Sequence, residues 1–200
     1  MGARVRVSPL CAKSSSGMAG ESGSTHSLAQ GQPSISRWEH AVTERTQTMF
    51  SILLVEDSDE DYMAFTRALR DTVVTVSLPR CTRGEEALDY LHGRGRFADP
   101  AHAPRPALVL LDLNLPGMDG RELLTIIKGD EHLRSIPVVI VTTSHNPRDV
   151  EWCYQHGANS YQVKALGYEQ FRSAMRLLVE YWLTVCVLPA TTDRERPHSG

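Results

Sequence analysis

The chain has 200 residues, a formal net charge of −3 and a hydrophobic fraction of 41%, which suits one domain with tails. No apolar run approaches the ~18 residues that a membrane-spanning helix needs, so we expect no membrane segment. Residues 51–188 carry 14 Lys and Arg against 19 Asp and Glu, a balance of −5 that argues against a nucleic-acid groove.

The first 50 residues differ from the rest of the chain. They are rich in Ser and Gly and lack sustained periodicity, so they cannot bury enough apolar surface to offset their ordering entropy. We expect residues 1–50 to be a disordered arm or, because Met49 stands just before the first strand, the product of a mis-assigned start. Residues 189–200 are also polar, and we expect a flexible tail there.

Between these tails, strand and helix patterns alternate five times. Short apolar runs predict strands buried on both faces, and periodic apolar residues predict helices. The residues Ser58 to Asp61 are a capping signal for the first helix. The predicted strands are Ile52–Val55, Val73–Leu78, Ala107–Leu111, Ile136–Val141 and Ser160–Val163, and the later helices are Gly84–His92, Arg121–Lys128, Arg148–His156 and Tyr168–Leu188.

Polar side chains end four of the five strand patterns. Glu56 and Asp57 follow the first strand, Asp112 the third, Thr142 the fourth and Lys164 the fifth. Alternation of this kind predicts a doubly wound α/β fold with a parallel sheet, in which ligand sites lie just beyond the carboxyl ends of the strands.

Three carboxylates at one edge of a sheet repel one another unless a cation lies among them. A cluster of oxygen ligands suits Mg²⁺, which takes one or two carboxylates and keeps several waters. The whole set is consistent with a phosphoryl group arriving on a carboxylate. Mg²⁺ would bind one phosphoryl oxygen, Lys164 would pair with another and Thr142 would donate to a third.

These residues resemble the site of response-regulator receiver domains of two-component signalling, over roughly residues 51–188. The resemblance also rests on the loop Asn114-Leu115-Pro116-Gly117-Met118-Asp119-Gly120. The long stretch from Gly93 to Pro106 is similar to that of single-domain regulators that partner phytochrome-type photosensor histidine kinases. The resemblance implies a flavodoxin-like, five-stranded parallel sheet of order 2-1-3-4-5 with five helices.

The resemblance further implies a stand-alone response regulator that takes a phosphoryl group from a sensor histidine kinase onto Asp112 and signals by protein contact. On this resemblance we expect a switch rather than an enzyme, with at most self-phosphorylation and autodephosphorylation activity. Lys164 and Thr142 would assist the transfer, and Thr142 and Tyr161 would form the switch. The Mg²⁺ site would consist of Glu56, Asp57, Asp112 and Asn114.

One position departs from the family pattern. Ala165 follows Lys164, where the family usually has proline after a cis bond. A cis bond before a residue other than proline costs roughly 2.5–4 kcal/mol. Either the fold holds that strained bond, or the loop after the last strand takes another path.

Other function classes must be weighed against a phospho-accepting receiver. A haloacid-dehalogenase-type phosphatase needs a second aspartate two residues after the nucleophile, and Asn114 cannot transfer protons, so we reject that class. A degenerate receiver that acts only as a protein-binding module stays as the alternative. Only 12 residues follow Leu188, too few for a helix-turn-helix unit, so we expect no DNA-binding output.

Two expectations concern the surroundings of the protein. The four cysteines show no paired spacing and are interpreted as free thiols, which predicts a cytoplasmic protein. The run from Tyr181 to Leu188 is apolar nearly all round, so one face of that helix would need a further partner. We expect a homodimer, and the other interpretation is that the run folds back over its own sheet edge.

Overall fold

Five parallel strands alternate with five α-helices in the computed structural model, which describes residues 50–70 and 72–189. The strands are β1 (Phe50–Val55), β2 in two pieces (Val76–Ser77 and Arg80–Cys81), β3 (Leu108–Leu111), β4 (Val138–Thr142) and β5 (Ser160–Val163). The helices are α1 (Asp59–Arg70), α2 (Gly84–His92), α3 (Gly120–Gly129), α4 (Pro147–Gln155) and α5 (Tyr168–Glu180). Apart from Phe50 and Pro189, the predictions for the arm 1–50 and the tail 189–200 lie outside the described residues.

The strands lie in the order β2-β1-β3-β4-β5, and every pairing is parallel. This arrangement confirms the predicted doubly wound fold of order 2-1-3-4-5 with five helices. The chain crosses over after β2 and then continues outward through β3, β4 and β5. The order therefore reverses between β1 and β3, which is where sheets of this type bind ligands.

The sheet separates two apolar layers. On one face, Ile52 and Leu54 of β1 join residues of α1 and α5, including Phe65 and Met175. On the other face, the alternate β1 residues join α2, α3 and α4. Residues of β3 and β4 are buried throughout, because helices cover both faces of a parallel sheet.

The second strand differs from its prediction. Val73 is exposed, the strand begins at Val76 and, after a break at Leu78 and Pro79, resumes at Arg80. Val76 pairs with Phe50 and Arg80 with Leu54, so both pieces keep one register. The prediction was wrong at its start, because within the described residues the pairing with β1 begins at Phe50 and Val76. Proline lacks an N–H group and is tolerated at such an edge strand.

The last helix is shorter than predicted. Its α-helical part ends at Glu180, and a π-helical turn follows at Tyr181–Val185. Cys186 is extended, with a ψ of 143°, so the predicted helical end at Leu188 was wrong. Within the described ranges, no helix has the length and apolar character needed to cross a bilayer.

Candidate functional site

The strand register brings the predicted site residues to one edge of the sheet. Val55 of β1 pairs with Leu111 of β3, so Glu56 and Asp112 emerge side by side. Thr142, the last residue of β4, pairs with Val163 of β5, and Lys164 follows directly. The four side chains therefore converge because four neighbouring strands end at the same level.

Lys164 is the centre of this cluster. Its ammonium donates hydrogen bonds to Glu56 Oε2 at 2.7 Å, to Asp61 Oδ2 at 2.7 Å and to Asp112 Oδ2 at 2.8 Å. Burial by itself would lower the pKa of Lys164, but the bonds to the three carboxylates outweigh it and hold the pKa above its usual range. The lysine is therefore a buried donor whose charged form the three carboxylates stabilise.

Glu56 is the most deeply buried of these carboxylates, with 1% of its side chain exposed. Burial raises its pKa to about 6, although the bonds from Lys164 and from the Ser58 N–H favour its charged form. Asp57, the next residue, is exposed at the end of β1. The acidic pair thus offers one carboxylate to Lys164 and one to solvent.

Asp112 is held from both sides. Its Oδ1 accepts a hydrogen bond from the Asn114 N–H at 3.1 Å, while its Oδ2 accepts one from Lys164. The side-chain amide of Asn114 donates to Thr142 Oγ1 at 3.5 Å. Thr142 is fully buried, and its Oγ1 also accepts a hydrogen bond from the Ser144 N–H at 3.4 Å. The end of β3 and the end of β4 are therefore joined through Asn114.

Tyr161 reaches the loop that follows β4. Its hydroxyl donates to the Ser144 carbonyl at 3.1 Å, and its ring packs against the core. Ser144 Oγ in turn donates to Asp149 Oδ2 at 2.6 Å, and Arg121 of α3 binds the other oxygen of Asp149 at 2.9 Å. These contacts connect the neighbourhood of Thr142 to the first turns of α3 and α4.

The loop after β5 accommodates Ala165 without a cis bond. The described residues contain no cis peptide bond, so the bond between Lys164 and Ala165 is trans. The Lys164 N–H still donates to the Thr142 carbonyl at 2.8 Å, which continues the pairing of β4 with β5. Of the two alternatives left by the sequence, the second holds, and the ammonium still reaches the carboxylates.

Two residues that contact the site were not predicted from the sequence. Asp61, read there only as part of a capping signal, supplies the third carboxylate on Lys164. Arg80 of β2 donates to the backbone carbonyls of Glu56 and Asp57, each at 2.8 Å, and to Asp59 Oδ1 at 2.6 Å. Only the position of Asp61, five residues after Glu56 on the first turn of α1, could have signalled its approach.

The donor chemistry at this edge fits a hard divalent cation. Asp57, Asp112 and the Asn114 carbonyl are oxygen ligands of the kind that Mg²⁺ takes together with water. In the part of the chain that the structure describes, no three His, Cys, Asp or Glu side chains are already arranged as a metal site. The ammonium of Lys164 lies between Glu56 and Asp112 instead.

A family model, the response regulator receiver domain, matches residues 52–176. Among individual proteins, the chain is 40% identical over 134 residues to the probable methanogenesis regulatory protein FilR2 of Methanothrix harundinacea, covering 67% of this chain and 84% of that one. It is 38% identical over 139 residues to the response regulator Rcp1 of Synechocystis sp., covering 70% of this chain and 92% of Rcp1.

Solved structures of response regulators are also similar to this chain. The phosphorylated cyanobacterial phytochrome response regulator RcpA superimposes with a TM-score of 0.68 at 38% identity, covering 72% of this chain and 100% of RcpA. The Mn²⁺-bound form of Rcp1 superimposes with a TM-score of 0.66 at 38% identity, covering 70% of this chain and 99% of Rcp1.

Proposed function

This chain belongs to the response regulator receiver domain family, and on that premise we propose that it is a stand-alone response regulator whose phosphoryl acceptor is Asp112. The observation that carries the proposal is the setting of the Asp112 carboxylate. It lies between the Lys164 ammonium and the Asn114 N–H, at the edge of the sheet where the order of strands reverses.

The proposed reaction is a phosphoryl transfer from a kinase phosphohistidine. A carboxylate oxygen of Asp112 attacks phosphorus, the P–N bond breaks, and the histidine nitrogen leaves with the electron pair. The product is an acyl phosphate on Asp112. Lys164 pairs with one phosphoryl oxygen, and the Thr142 hydroxyl donates to another, so both residues stabilise charge that develops on the transferred group.

Asp57, Asp112 and the Asn114 carbonyl are the residues that would hold Mg²⁺, and Glu56 would support the site from its buried position. Bound there, the cation supplies charge neutralisation for the transfer. The Mn²⁺-bound form of the relative Rcp1 supports a divalent cation in this family.

We assign the output to Thr142 and Tyr161. Thr142 moving toward a phosphoryl group would pull on the loop at Ser144, which Tyr161 and Asp149 also bind. In this proposal that loop is the two-state element, and the phosphoryl charge would bias its equilibrium. Output then occurs by protein contact on the surface near α4 and β5.

The relatives support a proposal for the kinase partner. RcpA is a phytochrome response regulator, which supports a phytochrome-type sensor histidine kinase as the phosphoryl donor for this chain. Coverage of 92% of Rcp1 supports a stand-alone receiver at residues 51–188. The unpaired cysteine spacing and the net negative charge of that stretch support a cytoplasmic location and no nucleic-acid target. We also propose a homodimer formed through the end of α5.

The alternative is a degenerate receiver that only binds proteins. The same pocket would then be present but would not take a phosphoryl group. Asp112, Thr142 and Lys164 favour the phospho-accepting function, because a binding module has no need of a charged donor among buried carboxylates.

The deciding experiment is intact mass after incubation with acetyl phosphate and Mg²⁺. We expect the wild type to gain one phosphoryl group, about 80 Da, and Asp112→Asn to gain none. Asp119→Asn, a change of the same type at the exposed N-cap of α3, is the matched control and should be labelled. An unlabelled wild type would favour the binding module, and a labelled Asp112→Asn would assign the acceptor elsewhere.

A further inference from the structure

The hydrogen-bonding capacity of Lys164 is fully used. An ammonium group has three N–H donors and no acceptor. All three carboxylates, Glu56, Asp61 and Asp112, lie within 2.8 Å of Nζ. A phosphoryl group on Asp112 takes over the bond that the Asp112 carboxylate now accepts, and a second bond from the ammonium to the phosphoryl oxygens requires the release of Glu56 or Asp61.

The bonds to Glu56 and Asp61 are unequal in what their release costs. The side chain of Glu56 is 1% exposed, whereas that of Asp61 is 35% exposed. Leaving a buried carboxylate without its cation is costly, because no water replaces the lost partner. Water can solvate Asp61, so the bond to Asp61 is the one that the ammonium gives up most readily.

Taking Asp112 as the acceptor from the proposed function, we propose that Asp61 is a positioning residue that competes with the phosphoryl group for the Lys164 ammonium. In the resting protein, Asp61 holds Lys164 toward the first turn of α1. Phosphorylation draws the ammonium to the phosphoryl oxygens and releases Asp61. The first turn of α1 is thereby linked to the state of Asp112.

Charge acts in the same direction as the hydrogen bond. The phosphoryl group adds negative charge beside Asp112, and Asp61 is a further negative group bound to the same ammonium. Removing the Asp61 charge lessens that repulsion and frees one N–H donor. Both effects favour the phosphorylated form, so removing the Asp61 charge should raise the affinity for a phosphoryl mimic.

The test is the equilibrium affinity for beryllofluoride, a stable mimic of the phosphoryl group, measured by calorimetry at saturating Mg²⁺. We expect Asp61→Asn and Asp61→Ala to bind the mimic roughly fivefold more tightly than the wild type, the factor that one net hydrogen bond contributes. Glu60→Gln, which removes the same charge from an exposed side chain of the same turn, should change the affinity less than about twofold.

A purely structural role for Asp61 predicts weaker or unchanged binding in both variants, and either result would overturn the inference. The rate of labelling by acetyl phosphate at saturating Mg²⁺ is a second readout and should rise with the affinity. If the wild type binds no mimic and takes no phosphoryl group, the proposed function itself fails. If it does both and Asp61→Asn behaves as the wild type, only the role of Asp61 fails.

Discussion

Arg80 binds the backbone of the acidic pair Glu56 and Asp57. Its guanidinium donates to the carbonyls of Glu56 and Asp57 and to the Asp59 carboxylate, and it lies 4.8 Å from the centre of the Tyr62 ring. The planar fork of an arginine matches such a set of acceptors, and the point charge of a lysine does not. The backbone on either side of the Asp57 side chain is therefore fixed by a residue of the neighbouring strand.

Arg80→Lys should weaken Mg²⁺ binding by about tenfold, because it keeps the charge and loses the fork that orients a ligand loop. Arg83→Lys, at an exposed position three residues later, is the matched control and should bind Mg²⁺ as the wild type does. Calorimetric titration with Mg²⁺ measures both. Unchanged Mg²⁺ affinity together with a lower melting temperature would show that Arg80 supports only the fold.

The site divides into residues that the sequence could predict and residues that it could not. Asp112 and Thr142 end apolar runs, Lys164 follows the short edge strand Ser160–Val163, and parallel strands bring such ends together. Asp61 and Arg80 reach the site through long-range contacts, across 103 and 24 residues of sequence in the bonds to Lys164 and Glu56. No local pattern says where a charged side chain of a helix or an edge strand will point.

At the scale of elements, α3 approaches β3 so closely that its first residue must lack a side chain. A Cβ atom on Gly120 would lie 2.2 Å from the Asp112 carbonyl oxygen and 2.7 Å from the Leu113 Cα. Both neighbours are backbone atoms, so no rotamer change relieves the contact. The helix therefore fixes the backbone of the proposed acceptor.

Gly120→Ala should destabilise the protein by about 1–3 kcal/mol, the usual cost of overpacking, and more if the acceptor loop cannot shift. Gly129→Ala is the matched control, since an added Cβ at this exposed end of α3 meets nothing within 4 Å. Alanine is the better helix former, so that variant should be neutral or stabilised by up to about 1 kcal/mol. Denaturant unfolding compares the two, and equal midpoints would contradict the packing argument.

Element boundaries were the least predictable part of the fold. The start of β2 was misplaced because Val73, Val74 and Val76 share high strand propensity, whereas the register with β1 decides which of them pairs. The end of α5 was misplaced because an apolar run continues to Leu188 while the backbone changes to a π-helical turn. Propensity is local, and both boundaries depend on a distant partner or on packing.

At the scale of the whole molecule, the end of α5 leaves apolar surface uncovered. Leu183 is buried and Trp182 packs partly on the core, so the run does cover part of its own sheet. Leu177, Tyr181 and Val185, however, are 60%, 54% and 69% exposed. Beside them, an open groove of about 570 Å³ extends to Ser160 and Gln162 of the edge strand β5.

A two-fold dimer would cover this surface, because each chain offers the same patch to the other. Apolar side chains beside an edge strand supply buried area, and the polar groups of β5 can form the rim of the interface. We therefore expect the wild type to form a homodimer with a micromolar dissociation constant. Sedimentation equilibrium measures it, and a monomer mass at about 100 μM, where such a dimer would be nearly complete, would contradict it.

Two substitutions test where the interface lies. Val185→Glu and Leu177→Glu should each raise the dissociation constant at least roughly tenfold, because either carboxylate would be buried without a partner. Both positions are exposed in the single chain, so neither change should lower the melting temperature appreciably. Val73→Glu places the same substitution at an exposed valine outside the patch and should leave the dimer intact. Equal dissociation constants for the Val185 and Val73 variants would show that the chains associate through another surface.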